Sequence, residues 1–232
     1  MLVGLISDAH GNAPGLEAVL GELGRHEVTR ILFAGDAVGY YPYPNEVIDQ
    51  LRAKGAIGIL GNHESYLFGR SRVSDERYLA CRLGHVERVI SRESQAWLAR
   101  LSSDCRLELD GLRILLCHGS PWAVDEYIYP ESGGFERFTR LAADVIIMGH
   151  THVPMMKRVG ETLVVNPGSC GQPRDYIPGA CYGLLDTQTG QVGLHRVGYD
   201  LQRLLEELRL MDYPGPLIDI LRRVKGEATH DT

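Results

Sequence analysis

Seven side chains able to bind metal or handle protons stand in short polar stretches of this chain. They are Asp8 and His10 in Ser7-Asp8-Ala9-His10-Gly11-Asn12, Asp36 after Gly35, Asn62 in Gly61-Asn62-His63-Glu64, His118 before Gly119, and His150 and His152 in Gly149-His150-Thr151-His152. Two carboxylates, four imidazoles and one amide make a mixed oxygen and nitrogen donor set. Such a set suits Mn, Fe, Zn, Co or Ni; it fits neither Ca, which takes oxygen donors, nor a thiolate zinc site. Taken singly each piece is weak, because Gly-Asp is common in turns and a lone loop histidine has many other uses. The weight comes from repetition, with glycines at positions 11, 35, 61, 119 and 149 that permit tight turns and close backbone approach.

These stretches share a context. Apolar runs at residues 2–6, 30–34, 56–60, 112–117 and 145–148 read as strands, and each stops at one of the polar stretches. Helical spacing follows the first two, with Leu16, Val19, Leu20 and Leu23 on one face and Val47, Ile48 and Leu51 on another. Strand, polar loop, helix and strand at this rhythm indicate βαβ units and a largely parallel sheet, whose loops at the carboxyl ends of neighbouring strands gather at one crevice. Residues 65–101 read as mostly helical and charged. Hairpins are expected across Asp110-Gly111, Gly160-Glu161 and Gly190. In the tail, Leu201, Leu204, Leu205, Leu208 and Met211 share one helical face, and Leu217, Ile220, Leu221 and Val224 another, separated by Pro214-Gly215-Pro216. These helices are expected to pack on the parent sheet, with a dimer contact as the alternative.

In order and spacing, Asp8-x-His10, Gly35-Asp36, Gly61-Asn62-His63-Glu64, His118-Gly119 and Gly149-His150-x-His152 resemble the five motifs of the calcineurin-like metallophosphoesterases. Asn166-Pro167-Gly168-Ser169, with Gln172-Pro173-Arg174-Asp175 just after, is similar to a segment of the small bacterial and archaeal phosphodiesterases of that superfamily. The resemblance implies an α/β fold, a four-layer α-β-β-α sandwich of two mixed sheets with helices outside. It implies a metallophosphoesterase domain over residues 1–198, with residues 199–232 a helical extension of it. It also implies two metal ions, one held by Asp8, His10, Asp36 and His152, the other by Asp36, Asn62, His118 and His150, with Asp36 bridging.

Two divalent ions bring four positive charges, of which Asp8 and Asp36 cancel two. The surplus attracts a phosphate ester and lowers the pKa of a bound water, so that hydroxide can attack phosphorus in line. No protein nucleophile is then needed; Ser120 and Cys117 flank a ligand but show no spare base in the sequence. His63 is the candidate for protonating or stabilising the leaving oxygen. Glu64 is expected to orient a histidine. Arg174 could grip phosphate oxygens or pair with Asp175. Tyr40, Tyr41 and Tyr43 could wall the pocket, Tyr40 foremost, or pack around Pro42 and Pro44.

The expected activity is metal-dependent hydrolysis of a phosphodiester, with a small nucleotide or cyclic nucleotide as a candidate substrate and Mn the first choice of metal. Two alternatives stand beside it. One is a phosphomonoesterase, including one acting on phosphoproteins, toward which Glu64 leans, although Ala37-Val38-Gly39-Tyr40 lacks the Asp-Arg-Gly such enzymes carry. The other is a non-catalytic scaffold, disfavoured by the intact ligand set. Net charge is −6 with His neutral, which argues against extended nucleic-acid binding. No apolar run approaches the ~20 residues that span a bilayer. The chain opens directly into a strand, and its five cysteines lack CxxC pairing, so a cytoplasmic protein with free thiols is expected.

Overall fold

The computed structural model describes residues 1–223. Ten strands form two five-stranded sheets. The first has β1 (Leu2–Ile6), β2 (Arg30–Phe33) and β3 (Ile57–Gly58) in parallel, extended by antiparallel β9 (Ala180–Asp186) and β10 (Gln191–Val197), in the order β10-β9-β1-β2-β3. The second has the order β4-β5-β6-β8-β7, with β4 (Asp104–Leu109), β5 (Leu112–Cys117), β6 (Val145–Ile147), β7 (Met155–Val159) and β8 (Thr162–Asn166). Its three central strands run parallel and both edges are antiparallel. These are the two mixed sheets that the family resemblance implies, and the parallel strands read from the strand-helix rhythm are divided between them. The run at 56–60 shortens to Ile57–Gly58 because its amides leave the ladder: Leu60 N–H turns to donate to Ser102 O at 2.8 Å.

Alternation along the strands builds the layers, since successive side chains leave opposite faces. Val3, Leu5, Leu32 and Leu185 of the first sheet meet Ile114, Leu116, Ile147 and Val165 of the second in one buried cluster. The opposite faces turn outward. Ile6 and Phe33 lie under Leu16, Val19, Leu20 and Leu23 of α1 (Ala13–Arg25) and Val47, Ile48 and Leu51 of α2 (Pro44–Ala53). Asn12 caps α1, accepting from Gly15 N–H at 3.0 Å. On the second sheet, Leu115, Ile146 and Val164 are covered by Phe135 and Phe138 of a short 3-10 helix (Phe135–Arg140). Residues 62–98 supply α3 (Asn62–Leu67), α4 (Asp75–Ala80), α5 (Leu83–Val89) and α6 (Arg92–Leu98). Among the described residues no helix is long and apolar enough to cross a membrane.

The tail helices α7 (Leu201–Leu210) and α8 (Gly215–Arg222) depart from expectation. They do not lie on a sheet. Leu204, Leu205, Leu208, Ile218 and Leu221 close over Tyr41 and Tyr213, with Tyr40 and Tyr43 at the margin. α1 already covers the sheet face, so the tyrosine-rich loop between β2 and α2 is the apolar surface left to bury. Tyr41 is fully buried there, and its hydroxyl donates to Leu217 O at 3.1 Å and accepts from Gln172 Nε2 at 3.0 Å. Val224, expected on the face of the last helix, lies outside the described residues, as does the rest of the tail to residue 232.

Candidate metal centre

Each of the seven residues sits just beyond a strand. Asp8 and His10 follow β1, Asp36 follows β2, Asn62 opens α3 after β3, His118 follows β5, and His150 and His152 follow β6. Three strands belong to one sheet and two to the other, so the carboxyl ends of both parallel sets converge on one point. All seven side chains are buried. The turns that aim them are strained: Asp8, His10, Asp36, His150 and His152 have φ of 55°, 49°, 61°, 70° and 61°. Left-handed backbone costs a non-glycine residue roughly 1–2 kcal/mol, and such strain collects at functional sites. Close approach does the rest. A Cβ on Gly61 would stand 2.0 Å from Asp36 Oδ1, and one on Gly149 would stand 2.0 Å from Ser7 Oγ.

Hydrogen bonds at the far side of three rings fix their tautomers. His10 Nδ1 donates to Val38 O at 3.0 Å, His118 Nδ1 to Ala34 O at 2.7 Å, and His152 Nδ1 to Gln172 O at 2.7 Å. A carbonyl only accepts, so Nδ1 carries the hydrogen and Nε2 of the neutral ring keeps a bare lone pair. These lone pairs face one another and the carboxylates. His10 Nε2 lies 3.0 Å from His152 Nε2, and Asp8 Oδ1 is 3.4 Å from His152 Nε2. Asp36 Oδ2 is 3.3 Å from His118 Nε2 and 3.6 Å from His10 Nε2, and Asn62 Oδ1 is 3.0 Å from His118 Nε2. His150 Nε2 is buried with no hydrogen-bond partner. Asp8, His10 and His152 form one group that could hold a metal ion, and Asp36, His118 and His150 form another. Facing lone pairs and an orphaned buried nitrogen are what a cation would satisfy, so the residues fit divalent metal.

The electrostatics without a cation point the same way. Burial pushes Asp8 up to about 7 and drives His150 down to about 3. Burial also works against a charged His118, yet the Asp36 and Asp8 carboxylates outweigh it and lift that ring to about 10. Burial likewise opposes ionisation of Asp36, but the His118 and His63 rings hold it well below the usual carboxylate range.

Around the ligands, Glu64 departs from its expected role. Its carboxylate touches no histidine as a hydrogen-bond partner; it accepts from Gly61 N–H at 2.8 Å, Val38 N–H at 3.0 Å and Asp36 N–H at 3.1 Å. Glu64 stands three residues after Gly61 in the first turn of α3, where the helix start turns its side chain back onto backbone and stitches two ligand loops together. Ser169 and Asn166 tie others: Ser169 Oγ donates to Asp8 O at 2.6 Å, and Asn166 Nδ2 to Gly149 O at 2.6 Å. Ser120 does have a carboxylate, Glu126, within hydrogen-bond reach, but Arg137 engages Glu126 at 2.5 Å and Ser120 Oγ accepts from Trp122 and Ala123 N–H.

A small cleft opens beside the ligands. His63 enters it, its backbone N–H donating to Asp36 Oδ1 at 2.9 Å and its ring Nε2 standing 3.8 Å from Asp36 Oδ2, while ring Nδ1 is buried without a partner. Burial holds the ring down to about 4. Tyr40 packs on His10 and His63 with centroids 4.6 and 4.8 Å apart, whereas Tyr41 and Tyr43 face the tail. Arg174 does not pair with Asp175, which binds Arg196 instead. It lines the cleft, donating to Tyr40 Oη at 3.2 Å and to Gln172 Oε1 at 2.8 Å. Arg77 of α4 and Tyr127 line the same cleft and went unnoticed in the sequence. Neither belongs to a polar stretch at a strand end; both come from connecting segments whose direction only the packed fold defines.

The calcineurin-like phosphoesterase superfamily domain matches residues 1–190. MJ0912 of Methanocaldococcus jannaschii, described as uncharacterized, is 27% identical over 225 residues, covering 89% of this chain and 91% of that one. The same organism's phosphodiesterase MJ0936 is 27% identical over 188 residues, covering 81% and 94%. The crystal structure of a metallophosphoesterase from Sphaerobacter thermophilus is similar with a TM-score of 0.81 at 29% identity, over 96% of this chain and 99% of that one. With that match over most of its length and a buried His/Asp cluster fit for metal, this chain belongs to the calcineurin-like phosphoesterase superfamily and is a metal-dependent phosphoesterase.

Proposed function

We propose that this protein hydrolyses a small phosphodiester, a nucleotide among the candidates, at a centre of two divalent transition-metal ions. The single observation that carries this is a set of linked buried donor groups: Asp8-His10-His152 and Asp36-His118-His150, joined by a third, His10-Asp36-His63, that shares His10 with the first and Asp36 with the second. Asp8, His10, Asp36 and His152 would hold one ion, and Asp36, Asn62, His118 and His150 the other, with Asp36 shared by both. Mn is the first choice, with Fe, Zn, Ni and Co suited to the same donors. Once bound, such ions supply surplus positive charge that draws a phosphate ester and makes hydroxide available near neutral pH. His63 directs Nε2 toward the centre and supplies a proton or hydrogen bond to the leaving oxygen. Asn62, besides holding metal, fixes the loop that carries His63. Glu64 holds the loops of Asp36 and Asn62 in register. Arg174 and Tyr40 contact the substrate from one wall. The diester preference draws support from the similarity to a relative named a phosphodiesterase.

The net charge of −6 supports a small substrate rather than an extended nucleic acid. The tail from residue 199 is proposed as part of the same domain, in a cytoplasmic protein whose exposed Leu210, at the end of α7, and Met211 just after it offer a contact between copies. The test loads the purified protein with manganese and compares bis-p-nitrophenyl phosphate with p-nitrophenyl phosphate. Faster diester hydrolysis is expected, with a loss of at least about 100-fold in His118→Ala. A rate that this substitution leaves unchanged would overturn the two-metal site, and hydrolysis of the monoester alone would overturn the diester preference.

A further inference from the structure

We propose that Arg77 is a substrate-binding residue that recognises a second negative charge on the phosphoryl group, so that the site accepts phosphomonoesters alongside diesters. The inference rests on the phosphoesterase reading above and adds to it the residue that sets substrate charge. Arg77 and Arg174 line one cleft together with His63 and His150. They come from unrelated parts of the fold, Arg77 from α4 and Arg174 from the segment after β8.

Both guanidinium groups are framed by neutral partners. Arg77 Nη2 donates to Tyr127 Oη at 3.0 Å, and its guanidinium carbon lies 5.7 Å from the Tyr66 ring centroid. Tyr127 in turn packs on the His150 ring with centroids 4.1 Å apart, which ties Arg77 to a ligand loop. Arg174 is held by Tyr40 Oη and Gln172 Oε1. Three other well-anchored arginines take carboxylates: Arg113 binds Asp144, Arg137 binds Glu126 and Arg196 binds Asp175. Among the described residues, no such ion pair engages Arg77 or Arg174. A guanidinium has five N–H donors, and Arg77 spends one on Tyr127. The remaining donors and the full charge are free for an anion, on a fork whose direction is already set.

Phosphate chemistry says which anion makes use of this. A diester presents two non-bridging oxygens and one negative charge. A monoester presents three, and its second ionisation near pH 6 gives it a second charge at neutral pH. The third oxygen and extra charge separate the two classes, and a charge-assisted bidentate contact is the means of recognising them. Tyr127 then acts as a positioning residue, because its hydroxyl holds one arm of the fork.

The experiment measures kcat and KM for p-nitrophenyl phosphate and bis-p-nitrophenyl phosphate at pH 8 with manganese, in wild type, Arg77→Ala, Arg77→Lys and Tyr127→Phe. Binding of inorganic phosphate to each manganese-treated protein is followed by calorimetry. Arg77→Ala is expected to lower kcat/KM for the monoester at least about tenfold more than for the diester, mainly through KM, and to weaken phosphate binding by a similar factor. Arg77→Lys recovers part of the loss, and Tyr127→Phe falls between. Equal loss on both substrates, or none on either, would overturn the proposal, as would phosphate binding that ignores Arg77. If neither ester is hydrolysed, the diesterase proposal falls and phosphate binding alone decides this one.

Discussion

At the residue scale, the centre is built from side chains that would be misplaced without their backbone partners. The carbonyls of Ala34, Val38 and Gln172 fix three imidazoles, and Glu64 fixes the loops that supply two of those carbonyls. Glu64→Gln replaces an acceptor oxygen with an NH2 group that faces backbone donors. It is expected to weaken manganese binding by about 10–100-fold, the usual effect of losing a partner one step behind the ligands; an unchanged affinity in a metal titration would reduce Glu64 to packing. The metal-free protein also has a pH signature. His118, raised to about 10 by the carboxylates beside it, stabilises the fold fully below its ordinary value near 6.5, and that contribution is lost as pH climbs toward 10. Asp8 and Glu64, raised to about 7, contribute in the acid range and lose that contribution as pH rises through about 7, so they are still titrating when the His118 loss sets in. The buried thiols of Cys117 and Cys181, pushed up by burial, add their own loss only above about pH 8.5. Between about pH 7 and 8.5, therefore, the melting temperature of metal-free wild type is expected to fall with pH, and His118→Ala to make that fall shallower, most clearly in the upper part of the window where the two carboxyls have finished titrating. Manganese should flatten it too, since a coordinating imidazole cannot keep the proton. A slope as steep in His118→Ala as in wild type would assign it to other groups.

At the element scale, the strand ends and the tail helices are coupled through the loop after β2. Asp36 and Tyr40 stand at the metal centre, and Tyr41, one position on, is the core of the tail. The chain alternates between the two because left-handed turns at Asp36 and Tyr40 redirect it. Tyr41 also holds Gln172, whose carbonyl receives His152. Tyr41→Ala is expected to destabilise the protein by about 3–5 kcal/mol, as for other large aromatic truncations, measured by urea unfolding. It should also weaken metal binding, because Gln172 loses a partner. Destabilisation without any change in metal affinity would show that the tail merely covers the loop.

At the scale of the whole molecule, the two sheets do different work. Their inner faces make the core between Leu5 and Leu116, and their parallel strands end at the same edge, where loops from both can meet. The helical segment at 62–98 and the connection carrying Tyr127 then close over that edge, bringing Arg77 and Tyr127 to the cleft from opposite sides of the sequence. The metals are thus served by strand ends and the substrate by connections, a division that lets the centre stay fixed while pocket chemistry varies.

The sequence by itself determined the strand ends and the seven residues that follow them, because an apolar run stopping at a polar, glycine-flanked turn is a local pattern that needs no tertiary information. Both hairpin turns and helical faces were legible for the same reason, and Leu204, Leu205 and Leu208 do share a buried face. Only the tertiary structure decided what those faces meet. The tail covers Tyr41 rather than a sheet, Glu64 grips amides rather than a ring, and Arg77 reaches the cleft. Each of these depends on non-local partners and on backbone groups, and backbone N–H and C=O are the same at every residue, so side-chain identity carries no mark of which of them will be the partner.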